Sequence, residues 1–548
     1  MAFKPEELAL DAEPVIFEDT SHNSSSSNRT KTTWRPLYHH ECAFGPSVFD
    51  SVMDNLIRNP NINSTWLFRA DILHDAQHGP SSSATPADEA DGTPFVADLP
   101  SFVGFERLRH IIRRLIPRNT LRDKPLEQTC LIYKNKPEEA VQRTLVVYLP
   151  HVSSPSEMPF YHPAVKAIAF LHEWAPAESC GSISLSYLFF DEQDRSVDKL
   201  IRTAFRLLLV IYKHGKGRVE GYQKRVHHDV LLPQARVQDT YTKLKQKYAR
   251  SLIQGWAEQT DPEKHIFEDI CIAAFMIELW KDMYGKGPFP GFVDIGCGNG
   301  LLVYILNQEG FSGWGFDARL RKSWASYNTK IKSSSGEEQD SLRELALLPT
   351  YVSRGGSSDE FDEHKAHDGL FRKDTFIISN HADELTPWTP ILAAISECPF
   401  IAIPCCSHDL SGKLFRAPPP KDKTKAVSTY SSFVEWVSLI ANDCGWEVEQ
   451  EMLRIPSTRN TAIIGRKRTG DISSVDIQAI VGKYGGTAGY FDAVVKLMKQ
   501  QPSTHDHGAD DTAPSVGKKS KGKKSKQKQQ KPVDTINLDQ VQVNGPPA

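Results

Sequence analysis

The chain lacks most of the features that sort a protein at a glance. It has little net charge: 65 Lys and Arg stand against 68 Asp and Glu, a balance of -3 over 548 residues. That excludes a polycation built to coat nucleic acid, so any contact with RNA has to use local basic patches. Cysteine is scarce, nine in all and without a repeating spacing, which excludes a disulfide framework and fits a reduced, cytoplasmic protein. No uninterrupted apolar run is long enough to span a bilayer. The best candidate, "TAFRLLLVIYKHG" (203–215), is short, flanked by charge, and reads as a buried helix. The opening "MAFKPEELALDAEPVIFEDT" carries acids early and has no apolar core of signal-peptide length. No internal repeat is visible.

What is present falls into three kinds of territory. Residues 1–33 include a Ser/Asn/Thr-rich run that reads as disordered, and residues 501–548 include the lysine-rich "GKKSKGKKSKQKQQKP", read the same way. Between 34 and 260 the pattern is α+β. Phe49, Val52, Met53 and Leu56 repeat at helical spacing, and so does "FVGFERLRHIIRRLIPRN" (102–119). "QTCLIYK", "RTLVVYLP" and "SISLSYLFFD" look like strands, and "VDKLIRTAFRLLLVIYKHG" and "VQDTYTKLKQKYARSLIQGWAEQ" like helices. A loop, "HDAQHGPSSSATPADEADGTP", interrupts them. From 261 to 470 strand-like runs alternate with helical ones: "GFVDIG", "GWGFDA", "DTFIISN", "PFIAIPCC", "WEVEQEML" and "NTAIIGRK". That alternation predicts parallel strands joined by crossover helices, a doubly wound sheet. An amphipathic helix opens it, capped by Asp261 and stopped by Gly285 and Pro288. Residues 471–500 read as two short helices.

The stretch "FVDIGCGNGLLVYILNQEGFSGWGFDARL" (292–320) holds three glycines at alternate positions between a strand and a helix. Glycine lets a backbone turn tightly and approach a ligand closely. Asp317 ends the next strand, where an acid can accept both hydroxyl protons of a ribose. Leu301 stands where a dinucleotide fingerprint needs a small residue, and no Gly-Lys-Ser/Thr follows to make a Walker loop. Asp294 adds negative charge at the strand end, which suits a cationic ligand group and opposes a pyrophosphate. The pattern D-x-G-x-G-x-G followed by an acid resembles the S-adenosylmethionine site of class I methyltransferases, with their Rossmann-like sheet. The resemblance implies that the loop through Asp294, Gly296, Gly298, Asn299 and Gly300 holds the amino-acid and sulfonium portion, and Asp317 the ribose.

Two more strand ends share that edge. "FIISNHADELTPWTP" presents Asn380, His381, Asp383 and Glu384, and "FIAIPCCSHDLSGKLFR" presents Pro404, Cys405, Cys406, His408 and Asp409. With "HIFEDICIA" (265–273) and "RIPSTRN" (454–460), these words resemble the eukaryotic tRNA (uridine-2'-O-)-methyltransferase family. That resemblance implies methylation of a uridine ribose beside the variable arm of serine tRNA. Asp383, His381 and Glu384 are then the candidates for acting on the hydroxyl, and Asn380 for contacting cofactor or ribose. The pair Asp383-Glu384 also suits the first turn of a helix. Adjacent cysteines are poorly spaced to chelate one ion, so no metal is expected. Covalent catalysis on the uracil ring through a cysteine is the rival chemistry. A protein methyltransferase, or a silent RNA-binding fold, is the rival class. Basic runs at 107–122, 213–225 and 243–250, with Tyr222, Tyr241 and Tyr248, are candidates for following phosphates and stacking on bases.

Overall fold

A computed structural model describes residues 3–8, 34–77, 99–120, 122–222, 228–285, 287–332, 336–353, 362–419, 428–470 and 475–499. The chain divides into two compact units, up to residue 225 and from 226 onward.

The first unit is one antiparallel sheet with two helices on it. Its elements are β1 (Glu6–Glu7), β2 (Arg35–Cys42), α1 (Pro46–Arg58), β3 (Leu67–Gln77), β4 (Glu106–Pro117), β5 (Leu126–Lys134), β6 (Gln142–Pro150), β7 (Ala167–Ala175), β8 (Cys180–Leu188) and α2 (Asp198–Val219). The strand order is β1-β2-β8-β7-β6-β5-β4-β3. Phe49, Val52, Met53 and Leu56 of α1, with Leu200, Ala204, Leu208 and Ile211 of α2, bury one face of the sheet against Ile111, Cys130, Val146 and Phe170. Trp34, Phe102, Leu131, Tyr133, Leu145 and Val147 cluster on the alternate positions, as the two-residue period of strands requires.

The segment expected as a basic helix at 102–119 is instead strand β4, paired with β3 and β5. Period two puts Arg109, Ile111 and Arg113 on the face that meets α1. Arg109 pairs with Asp54 on that helix and with Asp75. Arg113 is buried and donates to the Leu56 and Ile57 carbonyls at the C-terminal end of α1 and to Gln128. The partial negative charge of a helix C-terminus favours a cation there. Arg113 is therefore a structural cation and not an RNA contact, and Arg114 is bonded to Glu127. The N-terminal disorder expected over 1–33 is corrected for residues 3–8: Glu6–Glu7 pair with β2 and Phe3 stacks on His40. The rest of that run, most of the 74–94 loop, and the lysine-rich tail lie outside the described residues.

The second unit contains α3 (Gln234–Gln254), α4 (Pro262–Tyr284), β9 (Phe292–Ile295), α5 (Leu301–Gln308), β10 (Gly313–Asp317), α6 (Trp324–Tyr327), β11 (Lys330–Lys332), β12 (Glu338–Asp340), β13 (Leu342–Glu344), β14 (Ala346–Leu347), β15 (Ala366–His367), β16 (Phe376–Asn380), α7 (Thr389–Ile395), β17 (Phe400–Ile403), α8 (Thr429–Asp443), β18 (Trp446–Met452), β19 (Thr461–Arg468), α9 (Ile477–Lys483) and α10 (Tyr490–Lys499). The helix read as part of the first domain is α3, and it belongs here: Leu244, Tyr248 and Leu252 pack with Ile266, Ile270 and Ala273 of α4. The division falls near 225 and not near 260. Asp261 caps α4 by accepting from the Glu263 and Lys264 amides, and Gly285 ends it.

The main sheet runs β13-β10-β9-β16-β17-β19-β18. Five neighbouring strands are parallel; β19 runs antiparallel to β17 and to β18, so β18 points the same way as the five. The expectation of parallel strands throughout fails at that edge because residues 453–460 are too short for a crossover helix and make a hairpin. Alternate residues face opposite layers. Phe292, Phe376, Ile378 and Ile401 meet α4 and α5; Val293, Ile295, Ile377 and Ala402 meet α7 and α8. Parallel pairing brings the carboxyl ends of β9, β10, β16 and β17 to one edge.

Candidate active site

That edge gathers every site residue expected from the sequence. After β9 the backbone turns through Gly296, Gly298 and Gly300, all with positive φ. A methyl group on Gly300 would stand 2.5 Å from Leu342 Cδ1, whereas one on Gly298 would meet nothing within 4 Å. Gly300 is thus needed for packing, and Gly298 opens onto free space where a ligand can approach. The loop is tied down on its other side. Trp324 Nε1 donates to the Gly298 carbonyl at 2.9 Å and Ser323 Oγ to the Asn299 carbonyl at 2.8 Å. Asn299 Oδ1 caps α5 by accepting from the Leu301 amide at 2.8 Å.

Asp317 faces this loop. Its two carboxylate oxygens accept from the Gly298 and Arg319 amides, each at 3.1 Å. Each oxygen keeps a lone pair for a further donor, the arrangement a ribose diol needs. Burial holds its carboxyl above the usual range, against the pull of Arg321 and the two amides. Asp294 is almost wholly buried, and its Oδ1 has no hydrogen-bond partner among the described residues. Burial first, then the carboxylates of Asp269 and Asp317, push its carboxyl well up. Asp269, on α4, is pushed up to about 8 by burial and Glu268. Three acids crowded in a low-dielectric pocket are incompletely compensated, and a cationic ligand group relieves them.

The segment after β16 is strained. His381 and Asp383 both hold positive φ without being glycine, a conformation found where surrounding structure over-determines it. Asn380 donates to Asp269 Oδ1 at 3.3 Å and so steadies the acid pocket. His381 Nε2 meets Glu268 Oε1 at 3.0 Å, while its Nδ1 is enclosed without a partner among the described residues. Glu384 is partly buried and its carboxyl is raised by burial, then by Asp383 and Asp317. Asp383 is exposed, and its Oδ1 accepts from the Cys405 thiol at 3.0 Å. It starts a short 3-10 turn with Glu384 beside it in that first turn, as the alternative reading has it, and its side chain caps no helix amide.

Sequence reading missed three contributors. Glu268 and Asp269 were hidden in "HIFEDICIA"; two adjacent acids within an apolar helix were the available signal. Arg459, within "RIPSTRN", donates to the Cys405 carbonyl at 2.7 Å and to Cys406 Sγ at 3.5 Å. Cys405 itself links Asp383 to this group. Asp383, Cys405 and Cys406 place their ligand atoms within 4.8 Å of one another, a grouping the sequence did not reveal; His408 is not in it. The Arg459 guanidinium already supplies positive charge there. The Cys406 thiol is pulled down by the hydrogen bond from Cys405 and by Arg459, against burial and Asp383. Of the tyrosines, Tyr248 is buried and donates to Glu309, Tyr241 packs on the core beside it, and Tyr222 is exposed.

A glycine turn with open space, a ribose-ready acid and a crowded acid pocket define a nucleoside-cation site on an α/β domain. Residues 231–340 match a family profile described as a predicted AdoMet-dependent methyltransferase, and residues 11–225 one described as a TRM44-like, N-terminal bet v1-like domain. The cofactor is S-adenosylmethionine. Over 513 residues the chain is 62% identical to a tRNA (uracil-O(2)-)-methyltransferase of Neurospora crassa, covering 92% of this chain and 99% of that one. It is 39% identical to the enzyme of the same name in Schizosaccharomyces pombe and 36% to that in Saccharomyces cerevisiae, each over 86% of this chain and 94% of the relative. The chain belongs to the tRNA (uracil-O(2)-)-methyltransferase family.

Proposed function

We propose that this S-adenosylmethionine-dependent tRNA methyltransferase modifies the ribose 2'-oxygen of a uridine beside the variable arm of serine tRNA, in the cytoplasm, with Asp383 acting on the acceptor. Nine free cysteines fit a reducing compartment, and no described helix is long and apolar enough to cross a membrane. The strand order, with helices on both faces, supports reading the second unit as a Rossmann-like, doubly wound class I domain.

The cofactor supplies an electrophilic methyl group on a sulfonium. The residues present fit it: Asp317 would hold the ribose hydroxyls, the space before Gly298 would admit the chain, and the unpartnered Asp294 would face the cationic end, with Asp269 behind it. Asp383 carries the acceptor reading because its carboxylate is exposed at the end of β16, oriented by Cys405, on the cofactor edge of the sheet. Its oxygen would take the 2'-hydroxyl proton as the ribose oxygen gains the methyl. His381 is less suited, since Glu268 holds one ring nitrogen and the other is closed off from solvent. Glu384 stands behind, kept more neutral by burial.

Asp383→Asn should lower turnover by roughly two to four orders of magnitude, the range for a lost acid–base group, with cofactor and tRNA affinities unchanged. Nucleoside mass spectrometry of the product should place the methyl on a uridine ribose. Near-normal turnover would remove Asp383 from the chemistry. A methyl on the uracil ring would overturn the ribose reading and move attention to Cys406, whose thiol is the more easily ionised of the pair.

A further inference from the structure

Of the arginines in the 107–122 run, Arg109 and Arg114 are committed to acids and Arg113 to the core. Two others end beside aromatic rings at one corner of the sheet, where β3 begins and β4 ends. Arg118, whose Nε donates to the Thr65 carbonyl at 2.7 Å, lies over Phe68 at 5.6 Å, and Arg122 lies over Trp66 at 5.5 Å. Trp66 and Phe160 touch edge to face, centroids 5.6 Å apart, and both are largely open: Trp66 is 41% and Phe160 57% exposed. Lys199, in the first turn of α2, holds its ammonium 4.1 Å from the Phe160 ring. One acid, Asp123 of the β4–β5 loop, also lies near the corner, where it acts on Tyr161. The corner therefore presents two exposed aromatic rings ringed by three cations.

We propose that this corner, built on Trp66 and Phe160 with Arg118, Arg122 and Lys199, binds unpaired nucleotides of the RNA substrate. Every base has a face to stack and every nucleotide a phosphate, so rings flanked by cations suit an unpaired strand without demanding a sequence. A paired helix hides its base faces and would meet the cations alone. The surface is one that the methyl-transfer site does not use, and the proposal rests on the reading that tRNA is the substrate.

The test uses the full chain. Dissociation constants are measured for tRNA, for a single-stranded oligouridine and for a fully paired RNA duplex, in wild type, Trp66→Ala, Phe160→Ala and Trp66→Phe. Thermal unfolding and S-adenosylmethionine binding serve as controls of the fold, and methyl transfer to tRNA is followed beside them. Each alanine variant should weaken tRNA and oligouridine binding about 5- to 100-fold, the range of one lost stacking contact. Duplex affinity should hardly change, and Trp66→Phe should retain most of the binding. Unchanged tRNA affinity in both alanine variants, while wild type methylates tRNA, overturns this proposal alone and leaves the rings to a protein partner. An equal loss for duplex and single strand also overturns it, since charge alone would then be at work. If wild type transfers no methyl to tRNA yet the oligouridine loss appears, the substrate reading fails and the corner stands as an RNA surface. Wild type that binds no RNA overturns both.

Discussion

Asp317→Asn is a sharper test of the cofactor site than its size suggests. Asn keeps the shape of Asp but replaces one acceptor oxygen by a donor. Here both oxygens already accept from backbone amides, those of Gly298 and Arg319. Whichever way the amide turns, its NH2 faces one of these N–H groups, and one ribose hydroxyl meets a donor where it needs an acceptor. The backbone contact is lost with and without the ligand, so affinity loses one ribose hydrogen bond to a charged group, about 1.5–3 kcal/mol. That corresponds to roughly a 10- to 100-fold weaker affinity, at about 1.4 kcal/mol per factor of ten. The fold loses one backbone-amide hydrogen bond, and part of that cost is recovered because burial disfavours the Asp317 charge and the neutral amide escapes that penalty. Calorimetric titration with S-adenosylmethionine measures the first effect and thermal unfolding the second. An affinity within about threefold of wild type would falsify the assignment of Asp317 to the ribose.

The glycines separate packing from ligand space. Gly300→Ala combines a left-handed backbone with a 2.5 Å approach to Leu342 and should lower stability by about 2–4 kcal/mol, read as a drop in Tm. Gly298→Ala meets no protein atom but also carries a left-handed backbone, so it should lose only about 1–2 kcal/mol of stability yet bind the cofactor far more weakly; normal binding would mean the open space is not the cofactor's. Asp269→Asn probes the acid pocket through pH. A carboxyl raised to about 8 in the fold contributes stability that is complete below the unfolded value near 4 and is lost as pH rises through 8. Wild type without cofactor should therefore lose stability between about pH 4 and 8, and the Asn variant should lose less over that window; parallel melting curves would refute the crowding of Asp269 with Glu268. Arg113→Ala leaves two helix carbonyls and Gln128 without their donor, so unfolding should come easier by about 1–3 kcal/mol for each buried acceptor left unpaired, while tRNA affinity below the transition stays unchanged. Weakened RNA binding in a fully folded Arg113 variant would restore it to the docking surface.

How much of this was legible depended on the length scale of the signal. The glycine turn and Asp317 declare themselves within one short stretch, because a strand, a turn and a second strand that carry one ligand are consecutive in the chain. The strand ends at Asn380 and Pro404 could be placed on the same edge because parallel pairing follows from alternating strands and helices. Strand β4 could not be read correctly. Its isoleucines and arginines satisfy helical spacing and period two alike, and its neighbours β3 and β5 decide between them. The boundary between units was misplaced for a similar reason: α3 carries a lysine-rich face like the basic segments before it, and only the apolar contacts with α4 assign it.

The acid pocket shows why the rest of the site escaped. Glu268 and Asp269 are about two dozen residues ahead of the glycine turn, in a helix whose apolar residues explain its burial without them. Taken as a helix, the segment asks for no acids at all. Two buried carboxylates in mid-helix oppose folding unless something else compensates them. Asn380 and His381 do so in part, through hydrogen bonds to Asp269 and Glu268. Those contacts also pin the residues immediately before Asp383. The pocket that would receive a cation and the carboxylate that would receive a proton are therefore mechanically one piece, joined through α4 and the end of β16. The two strained residues His381 and Asp383 sit on that joint. Such strain persists where several contacts over-determine the backbone, and here they include Glu268 on one side and Cys405, with Arg459 on its carbonyl, on the other.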